Sequence, residues 1–466
     1  MSVEAKILSD LDFEQCEAAQ LSAPLAVLAG PGSGKTRAIT HRIAYQVATG
    51  AYESSAVLAL TFTNRAAAEM AQRVSELGMT RVTVRTFHSA ALRQIKHFWP
   101  KAYGFEVPKL LPDRSGLLRE AAKDVGAACS EVELRTLSGE LSWVKTNNVA
   151  LAEYAARAHK AQREVLGMDL EQTSRILGRF EYVKASQGYI DFDDVLLCCC
   201  AMLDEKPGIA QQVRQTYRHL LVDEFQDTSP LQFALLRLWL GENQDITVVG
   251  DPAQTIHGFA GATARYLLDF EEEFPDAELV RFKSNYRSSP QLVSFANNFA
   301  EANEIPAAIL TSKTSARTPP EFGEHADAAA EAAAIADWLL TQKASGVAWD
   351  ELAVLFRVHA QAEVLQEALK AAKIPVWVQN NDDSIRATES RVRLATLHAC
   401  KGLEWKAVAI AGMQEGMLPY SLVSSSAQLR EEARLCYVGI TRARHALYLS
   451  WVGRRSRFIP ETLWCQ

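Results

Sequence analysis

The stretch Leu25 to Thr36 reads LAVLAGPGSGKT: an apolar run, a glycine-rich turn, then Lys35 and Thr36. Between a buried strand and a helix, such a turn lets backbone N–H groups curl around a phosphate. The helix N-terminus adds its positive dipole end, Lys35 reaches the β/γ oxygens, and Thr36 offers a hydroxyl to magnesium. The loop itself comprises Ala29, Gly30, Pro31, Gly32, Ser33 and Gly34, with Ala29 standing where the general pattern has glycine. A second station is HLLVDEFQDTSP, where Asp223 and Glu224 follow an apolar strand. There a carboxylate pair serves as magnesium ligand and water-activating base. Such a pair is costly to bury unless a cation or a network neutralises it. A third is GDPAQTIHGFAGA, which sets Gln254 to sense a terminal phosphate and His257 and Phe259 to face nucleic acid. The chemistry is hydrolysis of a nucleoside triphosphate.

The elements that must hold these groups are strands at Leu25–Leu28, Ala56–Leu60, Val82–Val84, His219–Val222 and Asp245–Val249, with a helix over Thr36–Tyr45. Open α/β sheets place ligands at the C-terminal ends of their strands, which puts Phe62, Thr63 and Arg65 on the working face. The next strand repeats the design in Thr86, Phe87, His88 and Ser89. Aromatics beside hydroxyls and an arginine suit base stacking with phosphate contacts. Either Phe alone reads equally well as core, but two such turns after adjacent strands make a groove. From Arg93 to about Gly188 the pattern becomes purely helical, over Leu117–Val125, Glu131–Lys145, Leu151–Leu166 and Leu170–Gln187, which reads as an inserted subdomain. Ahead of the phosphate loop, Asp12 can cap a helix. The amide of Gln15 has the donor and acceptor edges that adenine requires, although a solvated surface glutamine is the commoner account.

At 466 residues the chain has room for about three domains. With 49 basic and 56 acidic residues its net charge is −7, so any nucleic-acid groove must be local. The 8 cysteines form no Cys-x-x-Cys pair, and Cys198, Cys199 and Cys200 share one apolar run. They read as reduced core residues, which favours a cytoplasmic location. The acidic N-terminus is unlike a signal peptide, and no stretch approaches the roughly 18 apolar residues of a membrane span. The alanine-rich run Ala326–Ala336 reads as helix.

In order along the chain, Gln15, AGPGSGKTR, LTFTNRAAAEM, RTFHS, DFDDVL, VDEFQDTSPLQ, VVGDPAQTIHGFAGA, SNYRSSP, LATLHACKGLEW and EEARLCYVGITRAR resemble superfamily 1A DNA helicases of the UvrD, PcrA and Rep type, from Leu11 to Leu449. The resemblance implies an α/β fold of two RecA-like parallel-sheet motor domains of the P-loop NTPase class. Residues 1–92 and 189–280 would form motor domain 1A, 93–188 the inserted helical subdomain 1B, and 281–466 motor domain 2A.

It also implies roles. Gln15 and Tyr286 would hold adenine, with Arg37 nearby, and Glu404 the ribose. Lys35, Thr36 and Asp223 would hold the phosphates of ATP and Mg2+, Glu224 would activate water, and Gln254 would sense the γ-phosphate. Arg287 and Arg442 would be arginine fingers of the second motor domain, coupling hydrolysis to movement. Phe62, Thr63, Arg65, Phe87, His88, Phe259 and His398 would line a single-stranded DNA track, followed with 3′ to 5′ polarity. The implied activity is that of a DNA-dependent ATPase and 3′–5′ helicase or translocase in repair, replication or recombination, acting on single strands or 3′-tailed duplexes. The alternative is a motor subunit of a larger phage-defence or recombination complex with little unwinding of its own.

Two departures stand out. Where the family has Tyr, an aromatic and Arg in its third motif, this sequence has His257, Phe259 and Ala260, which implies looser coupling or altered strand grip. The large 2B insertion of the relatives is expected to be replaced by a short polar connector near 379–390, leaving a stripped motor that needs a protein partner to separate duplexes well. The basic tail at Arg454, Arg455 and Arg457 reads as a solvated terminus or as a phosphate contact.

Overall fold

The computed structural model describes residues 2–163, 165, 167–258, 261–315, 318–379, 390–423 and 425–464. The first sheet has six strands, β1 (Leu25–Ala29), β2 (Val57–Thr61), β3 (Thr83–Thr86), β4 (His219–Val222), β5 (Ile246–Gly250) and β6 (Glu278–Phe282), in the order β3-β2-β4-β5-β1-β6. The β2–β3, β2–β4 and β4–β5 pairs run parallel. Every residue of β2 and β5 is buried, as a sheet covered on both faces requires, and this is why these strands read as unbroken apolar runs.

The helices around it are opened by side chains that satisfy their first N–H groups. For α1 (Phe13–Gln20), Asp12 accepts from the Gln15 N–H while the Gln15 side chain accepts from the Asp12 N–H, a reciprocal capping box. The phosphate loop leads into α2 (Lys35–Ala48), and Thr63 caps α3 (Asn64–Glu76). Thr86 and Ser89 form the same kind of box at the head of α4 (Phe87–Tyr103).

The helical region comprises α5 (Ser115–Asp124), α6 (Glu131–Thr146), α7 (Tyr154–Lys160) and α8 (Leu170–Ser186), with Leu118, Leu137, Leu141, Tyr154, Ile176 and Phe180 in a core of its own; it is not purely helical, because Lys109–Leu110 pairs in parallel with Tyr189–Ile190. The helix expected over Leu151–Leu166 is shorter than its pattern. A 3-10 turn at Leu151–Glu153 precedes α7, and Gln162 then takes a left-handed φ of 52°, which ends the run. Beyond this region follow α9 (Asp194–Glu205), α10 (Pro207–Thr216) and α11 (Pro230–Leu240).

The second sheet also has six strands, β7 (Glu321–His325), β8 (Leu352–Phe356), β9 (Val376–Val378), β10 (Val392–Thr396), β11 (Trp405–Ile410) and β12 (Ala443–Val452), in the order β7-β12-β11-β8-β10-β9, with neighbours parallel. Along β8 the period of two sends Ala353 and Leu355 into the core that holds Phe299, Val408 and Tyr437. Leu352, Val354 and Phe356 enter the opposite core with Ile335, Leu339 and Leu369. The helices packed into these cores include α12 (Pro290–Ala302), α13 (Ala328–Ala344), α14 (Gln361–Ala371) and α15 (Ser426–Ile440). The alanine-rich helix is therefore present and longer than its sequence signal. Two parallel six-stranded sheets give the RecA-like pair of motor folds.

By internal packing the chain divides into two compact units. The first is Met1–Ala26, Thr36–Val249 and His257–Leu279; the second is Val27–Lys35, Gly250–Ile256 and Val280–Gln466. Of the connector expected near 379–390, residues 380–389 lie outside the described residues. No described helix is long and apolar enough to cross a membrane.

Candidate nucleotide site and nucleic-acid track

In the second unit the phosphate loop closes on itself. Lys35 Nζ donates to the carbonyls of Ala29 at 3.0 Å and Gly30 at 3.4 Å, and the Ser33 hydroxyl donates to the Gly30 carbonyl at 2.7 Å. Gly32 and Gly34 take φ values of 71° and 83°, open to glycine at no steric cost. The loop is also held from the segment after β6. Asn285 Nδ2 donates to the Pro31 carbonyl at 2.8 Å, and the Tyr286 N–H donates to the Gly32 carbonyl at 2.8 Å. A Cβ at position 32 would lie 2.6 Å from Arg287 Cβ, so only glycine fits there.

Beside the loop is a cavity of ≈ 530 Å³ whose lining includes Gly32, Gly34, Tyr286, Arg287, Glu404 and Arg444. Glu404 is shared between guanidinium groups, 2.5 Å from Arg287 Nε and 3.7 Å from Arg444. Arg444 also pairs with Glu351. The Tyr286 side chain is 45% exposed, which leaves a ring available for stacking. Loop glycines, two guanidinium groups and an aromatic side chain around one space form a donor set suited to a nucleoside polyphosphate.

Gln254 and Arg442 form a separate buried contact in the same unit. Arg442 donates to Gln254 Oε1 at 2.9 Å and, through Nε, to the Val438 carbonyl at 2.9 Å. The amide nitrogen of Gln254 donates to Asp251 Oδ2 at 2.7 Å, and Lys401 Nζ donates to the Gln254 carbonyl at 2.8 Å. The side chain expected to sense phosphate and one expected finger are thus directly bonded, whereas the other expected finger, Arg287, lines the cavity.

The first unit holds Thr36, in the first turn of α2, and the carboxylate pair that follows β4. Asp223 is buried and accepts from the Glu224 N–H at 2.9 Å, while Glu224 Oε2 accepts from Gln226 Nε2 at 2.6 Å. Glu224 adopts φ 54°, a left-handed conformation that costs a non-glycine residue on the order of 1 kcal/mol and collects at functional sites. The Thr36 hydroxyl and the Asp223 carboxylate are the hard oxygen donors that magnesium takes. Arg37 is exposed on α2. Gln15 departs from the surface account, being only 2% exposed with its side-chain oxygen engaged in the α1 capping box.

Along the expected track, Phe62 is half-buried and Thr63 and Arg65 are exposed. Phe87 is a correction. Its ring is 1% exposed, with Phe62 at 5.7 Å and Trp239 at 6.0 Å between centroids, so it supports Phe62 from below and has no face for a base. His88 stacks on Phe192 at 4.1 Å and 11°, and burial lowers its pKa below the ordinary histidine value. Phe192, 53% exposed, is the aromatic that sequence reasoning passed over; its signal was a phenylalanine set between the acids of DFDDVL. His398 is mostly buried and its pKa is pushed down to about 4, chiefly by burial and then by the Arg357 charge, so it is neutral at pH 7. His257 is half-buried; Phe259 and Ala260 lie outside the described residues.

Cys198, Cys199 and Cys200 are free, and burial raises all three thiols, to about 11 for Cys198 and about 12 for Cys200. Cys199 is a buried core residue, as expected, whereas Cys198 and Cys200 are only partly buried.

A phosphate loop and a carboxylate pair at strand ends of the first sheet, in a chain with a second parallel six-stranded sheet, define a RecA-like nucleotide-hydrolysing fold of the phosphate-loop class. The chain belongs to the UvrD/REP helicase family. The family model described as UvrD/REP helicase N-terminal domain matches residues 11–275, and the UvrD-like helicase C-terminal domain matches 280–383 and 378–454. The chain is 35% identical to the ATP-dependent DNA helicase UvrD2 of Mycobacterium tuberculosis, over 97% of this chain and 80% of that protein. It is 29% identical to the ATP-dependent DNA helicase PcrA of Leuconostoc citreum, over 80% of this chain and 50% of the relative. With PcrA of Staphylococcus aureus the identity is 28% over 79% of this chain and 50% of the relative.

Proposed function

We propose that this protein is an ATP-driven motor that moves 3′ to 5′ along single-stranded DNA and serves DNA repair, replication or recombination. The observation that carries the reading is the loop-and-cavity arrangement around Gly32, Tyr286, Arg287 and Glu404, within a chain whose family is that of UvrD and Rep. In this reading Tyr286 and Gln15 hold adenine, Glu404 the ribose, and Lys35 and Arg287 the phosphates. Thr36 and Asp223 hold Mg2+, which when bound neutralises phosphate charge. Glu224 takes the proton of the attacking water, and Arg442 positions Gln254 toward the γ-phosphate.

The DNA track comprises Phe62, Thr63, Arg65, His88, His257 and His398, with Phe192 added beside His88. Stacking at about 1–3 kcal/mol per base grips a strand of any sequence yet releases it each cycle.

The division into 1A (1–92 and 189–280), 1B (93–188) and 2A (281–466) is part of the proposal. The UvrD2 alignment spans 558 positions against 466 residues here, so the relative carries internal sequence with no counterpart in this chain. That supports a stripped motor that separates duplexes poorly without a partner. ATP turnover with and without single-stranded DNA, paired with strand displacement on 3′-tailed, 5′-tailed and blunt duplexes, tests the reading. DNA-stimulated turnover and preference for the 3′ tail are expected. Turnover indifferent to DNA would refute the motor, and processive unwinding of blunt duplex by the monomer would refute the stripped form.

A further inference from the structure

A cavity of ≈ 750 Å³ in the first unit has no part in the reading above. It lies between α4 and the end of α10, and its cationic lining is Arg85, Arg93 and Lys96, with His97 beside them. No acidic residue lines it among the described residues, in a chain whose net charge is −7. Phe98, Leu92, Val213 and Tyr217 make its apolar wall.

The floor carries the decisive group. Gln94 is 6% exposed, and its Oε1 accepts from the Trp239 indole at 2.8 Å and from Cys199 Sγ at 3.6 Å. An indole N–H only donates, so it fixes the amide with its oxygen toward Trp239 and its NH2 turned the other way. That nitrogen, buried in a residue lining the cavity, has no hydrogen-bond partner among the described residues. Neither has Arg85 Nε, also buried, from the neighbouring edge strand β3. Buried donors are normally satisfied, so two of them beside the cationic Arg93 and Lys96 describe a place built for an acceptor-rich group. The apolar wall accommodates a planar body attached to it.

We propose that this cavity is a second nucleotide site, binding a phosphate on Gln94, Arg85, Arg93 and Lys96 and a base along Phe98 and Tyr217. The nucleotide is either free or one unit of a DNA strand. Neither Phe62 nor His88 of the track lines the site, although Ser89 does, and the proposal does not rest on the motor reading. It holds whether or not the protein translocates.

The test is hydrogen–deuterium exchange of the full chain, read over 92–98 and 213–217, with dTMP, thymidine, or a short 5′-phosphorylated oligo(dT) as probe. Slowed exchange with dTMP assigns a free-nucleotide site, and slowed exchange with the oligonucleotide alone assigns a strand segment; thymidine should have no effect. The Arg93→Glu/Lys96→Glu double variant should weaken protection at least about tenfold while leaving basal ATP turnover unchanged. Gln94→Glu keeps the acceptor for Trp239 while removing the donors, and should act in the same direction. Absence of protection by both phosphorylated probes at millimolar concentration, equal protection by thymidine, or protection that survives the double variant would each overturn the proposal.

Discussion

Two clusters of opposite charges show how similar side chains can serve different ends. In the first unit, Lys145 Nζ lies 2.6 Å from Asp191, 2.7 Å from Asp194 and 2.8 Å from Glu181. Lys184 sits 2.6 Å from Glu181 and also pairs with Asp194. Glu181, Asp191 and Asp194 converge as metal ligands would, but both ammonium groups already lie among them. The lysines and Asp191 are nearly solvent-free, and the cluster ties α6 and α8 to the start of α9. In the second unit, Arg287, Glu404, Arg444 and Glu351 are partly exposed, and the first three line a cavity. A closed cluster in which every charge touches an opposite one fixes the fold, whereas an open one with guanidinium groups facing a space can exchange a partner for a ligand.

The largest expected effect falls on the closed cluster. Lys145→Ala leaves buried carboxylates undercompensated and should cost about 3–5 kcal/mol of stability, read as a lowered melting temperature. In the open region, Lys35→Ala should leave the melting temperature nearly unchanged and reduce ATP turnover by about 10²-fold or more, because the phosphates lose their principal cation. An inverted pattern, with Lys145→Ala folding normally and Lys35→Ala unfolding, would break the comparison.

Acid supplies the smallest and finest test. Burial works against the charge on Asp191, but Lys145 and Lys184 prevail and hold its carboxyl below the ordinary value. Its contribution is complete above the ordinary aspartate value of about 3.9 and is lost as pH falls through the lower folded value. Melting followed from pH 7 downward should therefore show the difference between wild type and Lys145→Ala narrowing as the carboxylates take up protons. Burial likewise opposes charge on Lys145, yet its three acidic neighbours hold its amine above the ordinary value. That contribution is complete below the ordinary lysine value of about 10.4 and is lost only as pH rises through the higher folded value, so from pH 7 downward the narrowing comes from the carboxylates.

What the sequence made legible was local. The phosphate loop, the strand ends at Asp223 and Phe62, and the parallel sheets follow from apolar runs meeting turns, which a short window contains. Lys145 escaped because its carboxylate partners are 46 and 49 residues away, and the Arg442–Gln254 bond spans 188. Phe87 and Phe62 occupy equivalent turns, and only packing against Trp239 decides which ring is buried. Gln15 looked like an adenine reader or a surface residue, but three-residue spacing from Asp12 also makes it half of a capping box. The helix forecast to Leu166 stopped early because a single left-handed residue outweighed a continuing apolar period.

The clearance at Gly32 has a mechanical consequence. With less than a carbon's width between that α-carbon's missing substituent and Arg287, and with Pro31 and Gly32 both bonded to the 285–286 backbone or side chain, any shift of the loop away from the arginine must first break those two bonds. A ligand that parts the two therefore has to replace the contacts of Asn285 and Tyr286 with its own.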